Sequence, residues 1–239
     1  MKTDTISAEE LNAGLAPLGA GDRLRLLVDV FGDGLVASTS FGLQSAVMLD
    51  LIAEHAPTLP VVFIDTGYLF PETYQYAEEL VQRFGTDLRV YLPKLSSARM
   101  EAVHGKLWEQ GKEGLDRYGV LTKIEPMDRA LRDLGATAWI SGLRRSHSST
   151  RAERPFAEKQ NRMMKVYPIL DWADAQVSAY MHDRRLPRHP LEAQGYVTMG
   201  DWHSTAPAAD GLDAESTRFN GQKYECGLHL ESGETDFQI

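Results

Sequence analysis

"LVASTSFGLQSAVMLDLIAEH", Leu35 to His55, changes its period in the middle. Leu35–Ser40 is a short β-type run, whereas Val47, Met48, Leu51 and Ile52 recur at helical spacing. A strand that passes through small hydroxyl residues and a glycine straight into a helix is the repeating unit of an open α/β sheet. Further along, "PVVFID" reads as a second strand, and "PETYQYAEELVQRF" as a helix with Pro71 suited to its first turn and Gly85 just past its end. "DLRVYL" is a third strand. After less regular sequence, "EPMDRALRDLG" is a helix that Glu125-Pro126 starts, "TAWISG" a fourth strand, "KVYPIL" a further strand and "WADAQVSAYMHDR" a helix. This alternation predicts an α/β fold with a parallel sheet covered on both faces. From His189 onward the periodicity fades into Gly, Pro, Asp and Ser, which predicts a mobile C-terminal tail. The predicted boundaries are an N-terminal helical segment at 1–34, an α/β domain at 35–190 and the tail at 191–239.

Bulk properties narrow the function classes. The net charge of −9 argues against general affinity for nucleic acid or membrane. Cys226 is the only cysteine of 239 residues, so neither an internal disulfide framework nor a four-thiolate metal site can form. The first residues lack a basic start followed by an apolar run, and no stretch reaches the ~18 apolar residues of a membrane span. The expectation is a cytoplasmic protein. Charge is uneven along the chain: Arg144 to Lys165 holds seven basic residues against two acids, and this is where an anion would be drawn.

Ligands of open parallel sheets bind beyond the carboxyl ends of the strands. The first such end carries Ser40, Phe41, Gly42, Gln44 and Ser45 directly into a helix, where backbone N–H groups and hydroxyls make an anion site. The plainer alternative is that Ser40 or Ser45 only caps that helix. Neither GxGxxG nor GxxxxGK[ST] occurs, which removes the common dinucleotide and P-loop readings. The second strand end supplies Asp65 and Thr66, and the fourth supplies Arg144 and Arg145. An anion nest, an acidic acceptor and two guanidinium forks suit a nucleotide with a strongly charged tail. Asp65 is a candidate for adenine or ribose, or a loop cap. His147, His189 and His203 are too scattered for a metal site and are assigned to structure or hydrogen bonding, and Trp108, Trp139 and Trp172 to core or interface.

The stretches "SFGLQSAV", "DTGYLFPETY", "GKLWEQG", "KIEPMDRAL", "GLRRSHSSTRA", "YPILDWAD", "HPLEAQGYVTMGDWHST" and "ECGLH" span Ser38 to Leu230. Together they resemble the phosphoadenylyl-sulfate (PAPS) reductases, the sulfonucleotide reductase branch of the adenine-nucleotide α-hydrolase-like (PP-loop) superfamily. The resemblance implies that fold, with Ser40 to Ser45 as the modified P-loop. It also implies Lys123, Arg144, Arg145 and Arg218 as the groups gripping sulfate and phosphate oxygens, and Cys226 as the catalytic nucleophile. The implied activity is reduction of PAPS to sulfite and adenosine 3′,5′-bisphosphate in sulfate assimilation and cysteine biosynthesis. A homodimer is implied as well.

The chemistry is consistent with one thiol. No flavin or nicotinamide motif is visible, so no cofactor is assigned. A thiolate can attack the sulfonate sulfur and leave an S-sulfocysteine. A second thiol must then release sulfite, and an external dithiol, thioredoxin or glutaredoxin, is the natural donor. Arg218, Lys223 and His229 are neighbours able to favour the thiolate, and Glu225 opposes them. The adenylyl-sulfate (APS) reductases of this family hold a [4Fe-4S] cluster on cysteines at positions that read here Tyr118, Gly119, Asp201 and Ser204, none of which replaces a thiolate. The chain therefore resembles the cluster-free, thioredoxin-dependent branch. Arg151, Arg154 and Arg162 are candidates for a 3′-phosphate or plain surface charges. Two alternatives stay open: a cluster-free APS reductase, and a PP-loop ATP pyrophosphatase. The second would show SGGxDS where Ser40-Phe41-Gly42-Leu43-Gln44-Ser45 stands, with Phe41 narrowing the loop.

Overall fold

The computed structural model describes residues 6–147, 151–160, 163–208 and 217. Six strands form one sheet in the order β3-β2-β1-β4-β6-β5. They are β1 (Leu35–Thr39), β2 (Val61–Ile64), β3 (Leu88–Tyr91), β4 (Ala138–Ile140), β5 (Ala157–Gln160) and β6 (Met163–Val166). All neighbours pair in parallel except β5, which runs antiparallel to β6 at the margin. The expected parallel sheet is present with that one exception. The predicted strand "KVYPIL" is displaced: β6 starts at Met163 and ends at Val166, and Tyr167–Leu170 form a turn.

Side-chain alternation explains why both faces are covered. Leu35 and Ala37 of β1, Val61 and Phe63 of β2, and Ala138 and Ile140 of β4 join one core. Val36, Val62 and Trp139, one residue out of phase, join the other. The first face receives α1 (Ala8–Leu15), α2 (Ala20–Phe31), α3 (Ser45–His55), α4 (Pro71–Phe84) and α8 (Asp174–Asp183). Leu11, Leu15, Leu24 and Leu27 lie in the same core as β1, so the N-terminal helices and the sheet share their packing. The second face receives Met127, Ala130 and Leu131 of α7 (Glu125–Asp133). Helix α4 begins with Pro71 and stops at Gly85, whose φ of 62° is the left-handed conformation that glycine adopts without strain.

The irregular stretch between β3 and α7 contains α5 (Ser97–His104) and α6 (Gly111–Gly119). α6 runs into α7 through a wide turn at Val120–Ile124, in which the Glu125 N–H reaches the Val120 carbonyl five residues back. Pro126 supplies the reason: it has no N–H to donate, and its ring would clash with the carbonyl four residues earlier. Glu125-Pro126 does open α7, as expected, but directly from the wide turn rather than from a loop.

Two polar clasps tie distant segments together. Buried Arg23 of α2 holds Asp171 with two bonds of 2.7 and 2.8 Å and donates to the Leu15 and Pro168 carbonyls. Burial opposes ionisation of Asp171, but the Arg23 hydrogen bonds and charge outweigh it and keep the carboxyl below its ordinary value. At the sheet margin, the Asn12 side-chain amide of α1 pairs with Ala157 of β5, donating to its carbonyl at 2.6 Å and accepting from its N–H at 2.9 Å. Among the described residues, no helix is long and apolar enough to cross a membrane.

Candidate active site

The chain winds from β1 through β2 to β3 on one side, then returns to place β4 on the other side of β1. The crevice at such a reversal, outside the carboxyl ends of the strands, is where open α/β sheets bind ligands. A cavity of about 400 Å³ lies there, lined by the loop after β1, the ends of β2 and β4, Lys123, and Val197–Asp201.

Of the residues singled out by sequence, Ser40, Gly42, Gln44, Ser45, Lys123 and Arg144 line this cavity. Neither Ser40 nor Ser45 caps α3: Gln44 occupies the cap position and no side chain bonds the helix start. Phe41, Asp65 and Arg145 are not among the lining residues. Phe41 has a φ of 49°, rare for a bulky residue, and this turns its ring away from the loop into the core, edge-on to Phe63 at 4.8 Å. Phe41 therefore anchors the loop from beneath rather than narrowing it. Asp65 is engaged locally, its Oδ1 accepting from the Gly67 N–H at 2.8 Å and the Tyr74 hydroxyl at 2.6 Å. Arg145 donates from Nε and Nη2 to the Arg154 carbonyl at 3.1 and 2.7 Å and lies 5.4 Å from the Phe156 ring centre. Arg218 and Cys226 lie outside the described residues, as does Arg162.

Arg144 connects three segments. It is 1% exposed, and its Nη2 donates to Gln44 Oε1 of the first loop. Its Nη1 donates to Asp174 Oδ1 at 2.7 Å, Ser146 Oγ at 3.2 Å and the Trp172 carbonyl at 3.3 Å. Arg151 also lines the cavity, whereas Arg154 is turned to Glu158 at 2.6 Å.

Sequence reasoning passed over the partners of Lys123. Its Nζ lies 2.7 Å from Oδ2 of Asp201, a residue with no solvent exposure. Asp201 Oδ1 accepts from the Thr66 hydroxyl at 2.5 Å. Burial opposes the charge on Asp201, yet the ammonium of Lys123, with the Lys123 and Thr66 hydrogen bonds, holds the carboxyl down at about 2. The same segment pairs Leu69 with Asp201, and the Trp202 N–H donates to the Tyr68 carbonyl at 2.8 Å. Residues 197–201, which the fading periodicity placed in a mobile tail, are instead packed against the end of β2 and furnish one wall of the cavity. His203 stacks on Trp108 with ring centres 3.9 Å apart, and its Nε2 lies 3.1 Å from the Tyr118 hydroxyl.

Residues 34–207 match the model of the phosphoadenosine phosphosulfate reductase domain. The chain belongs to the phosphoadenosine phosphosulfate reductase family. It is 48% identical over 227 residues to a phosphoadenosine 5′-phosphosulfate reductase of Photobacterium profundum, covering 95% of this chain and 90% of the relative. Identity to the Synechococcus reductase of that name is 50% over 226 residues, covering 94% and 97%. Among solved structures, the phosphoadenylyl-sulfate reductase of Candida auris, a phosphate complex, superposes with a TM-score of 0.74 at 34% identity, covering 84% of this chain and 100% of the other. The FMN adenylyltransferase of Candida glabrata, at 15% identity and a TM-score of 0.57, shares the fold alone. Membership in the reductase family makes the chain an oxidoreductase of sulfonucleotides with a PP-loop fold.

Proposed function

We propose that the protein reduces 3′-phosphoadenylyl sulfate to sulfite and adenosine 3′,5′-bisphosphate with a dithiol protein of the thioredoxin or glutaredoxin type. It does so in the cytoplasm, as a step of assimilatory sulfate reduction. The observation that carries this is a cationic cavity, walled by the loop after β1, Lys123 and Arg144, in a chain of this family with a single thiol.

The reaction balances without a cofactor. The Cys226 thiolate attacks the sulfonate sulfur; a sulfur–sulfur bond forms, the sulfur–oxygen bond to the phosphate breaks, and the nucleotide leaves as its phosphate anion. A thiolate of the partner then attacks the Cys226 sulfur and expels sulfite, which carries away the electron pair. The partner's second thiol resolves the mixed disulfide, returning Cys226 to the thiol and leaving the partner oxidised by two electrons. Around the nucleotide, Arg144 and Lys123 donate to the phosphosulfate oxygens, and the loop Ser40–Ser45 receives a phosphate beside the start of α3.

Preference for the 3′-phosphorylated nucleotide over adenylyl sulfate rests on two features. The positions that hold cluster cysteines in adenylyl-sulfate reductases are here Tyr118, Gly119, Asp201 and Ser204. Among the described residues, Arg151 is a further cation on the cavity wall, which supports a role for it at the 3′-phosphate. Sulfite release from PAPS and from APS, measured side by side with thioredoxin, tests the reading: PAPS turnover well above APS turnover is the expected result, and equal or reversed rates reject it.

A further inference from the structure

The carboxylate of Asp201 is an odd group to find on the wall of an anion site. It has no solvent exposure, yet it lines the cavity together with Thr66 and Lys123. These three residues come from the 3₁₀ turn that begins at Trp202, the end of β2 and the wide turn forced by Pro126. Both Asp201 oxygens are committed, one to the Thr66 hydroxyl at 2.5 Å and one to Lys123 Nζ at 2.7 Å. Thr66 is itself fixed, because its Oγ1 accepts from the Tyr68 N–H at 3.2 Å. A lysine ammonium has three N–H donors on a flexible four-carbon stem. Pairing the ammonium with a rigidly held carboxylate fixes where it sits on the cavity wall.

We propose that Asp201 is a positioning residue: it fixes the Lys123 ammonium at the cavity wall so that its remaining donors meet an oxyanion of the nucleotide, while Thr66 fixes Asp201. This extends the proposed function and rests on that reading of the cavity. The pair is neutral as a unit, so its value to an anionic ligand is direction rather than net charge. An asymmetry follows. Removing Lys123 leaves a buried carboxylate facing an anion, which repels it; removing the charge of Asp201 leaves the repulsion absent but the ammonium without the carboxylate that holds it at the wall. Other titratable groups of this neighbourhood are Tyr118, whose ring centre lies 5.7 Å from Lys123 Nζ, His203, which bonds Tyr118, and Tyr68 and Tyr74, which feel the charge of Asp201.

The test measures dissociation constants of adenosine 3′,5′-bisphosphate by calorimetry. Asp201→Asn, which keeps the shape, is expected to bind about tenfold more weakly than wild type, as the ammonium loses the carboxylate that holds it at the wall. Lys123→Met is expected to weaken binding about 30-fold, and adding Asp201→Asn to it should recover roughly fivefold by relieving the repulsion. Thr66→Val, which removes only the hydroxyl behind Asp201, should weaken binding about threefold and serves where Asp201→Asn does not fold. Unchanged binding by Asp201→Asn, or a double variant no better than Lys123→Met, overturns the assignment. Sulfite release from PAPS by wild type with thioredoxin, run alongside, separates the two levels. If wild type neither binds the bisphosphate nor releases sulfite, the functional reading fails and takes this inference with it. If wild type does both and the variants show no such pattern, only the role of Asp201 is lost.

Discussion

Two consecutive arginines with the same charge are expected to behave differently when their guanidinium groups are removed. Arg144→Met and Arg145→Met each keep an apolar stem and lose one positive charge. Arg144 lines the cavity, and its Nη2 donates to Gln44 of the ligand loop. One charge-assisted bond from this fork to a nucleotide oxygen is worth about 1.5–3 kcal/mol, which corresponds to a roughly 10- to 150-fold rise in the dissociation constant. The loss of its Asp174 contact adds little, because that carboxylate is 68% exposed and rehydrates. Arg145 spends two donors on the Arg154 carbonyl and does not line the cavity. Its removal leaves only a screened charge effect on the ligand, less than about threefold at physiological salt. Stability should fall instead, by about 1–3 kcal/mol for the donors withdrawn from the carbonyl. Calorimetric titration with adenosine 3′,5′-bisphosphate and thermal melts of both variants read the two quantities separately. Equal weakening of binding in the two proteins, or unchanged binding in Arg144→Met, refutes the placement of the ligand.

Cys226→Ser should abolish sulfite release while nucleotide binding stays within about twofold of wild type, since a hydroxyl is a far poorer nucleophile. Wild type given PAPS without reductant should gain a sulfo group on the Cys226 peptide by mass spectrometry, and a partner keeping only its attacking cysteine should be trapped on Cys226 as a mixed disulfide. His189 is buried, with its Nδ1 accepting from the Leu191 N–H at 3.2 Å and its Nε2 3.1 Å from the Thr73 hydroxyl, and burial lowers its pKa to about 4. The unfolded chain takes up this proton near pH 6.5 and the folded one does not, so stability is lost as pH falls from about 6.5 towards 4, reaching about 2 kcal/mol by pH 5. Melting temperatures between pH 7 and pH 5 should show that slope in wild type and lack it in His189→Gln; parallel slopes would remove histidine as the cause.

The sheet was legible where hydrophobic period and local punctuation agreed. β1, β2 and β4 are apolar runs buried on both faces, and α4 carries Pro71 and Gly85 at its two ends. β5 was not legible, because "AEKQ" has neither alternation nor apolar content and becomes a strand by pairing with β6 and with the Asn12 amide. The loop after β1 and Arg144 were read from their places at strand ends, and both line the cavity; Lys123 was reached through the resemblance. The ring of Phe41 could not be placed from its position in the motif, since its direction depends on a positive φ and on Phe63 below. Asp201 and Thr66 were both visible in motif stretches, but no local pattern pairs them with Lys123: the three are brought together by tertiary packing across 135 positions. Residues 197–201 owe their place to the bridge with Leu69 and the Tyr68 carbonyl rather than to a pattern of their own.

The amide of Asn12 on Ala157 bears on how the molecule avoids its own copies. A margin strand offers N–H and C=O groups to any extended chain that passes, and sheets grow by such recruitment. Here one side chain imitates a single residue of a neighbouring strand, giving and taking a bond at the spot where a newcomer would have to begin. The helix that carries it acts as a stopper on the sheet. Asn12→Ala would leave Leu11 and Leu15 in the core and the cavity untouched while removing this guard, so the damage would surface as concentration-dependent self-association before it surfaced as lost catalysis.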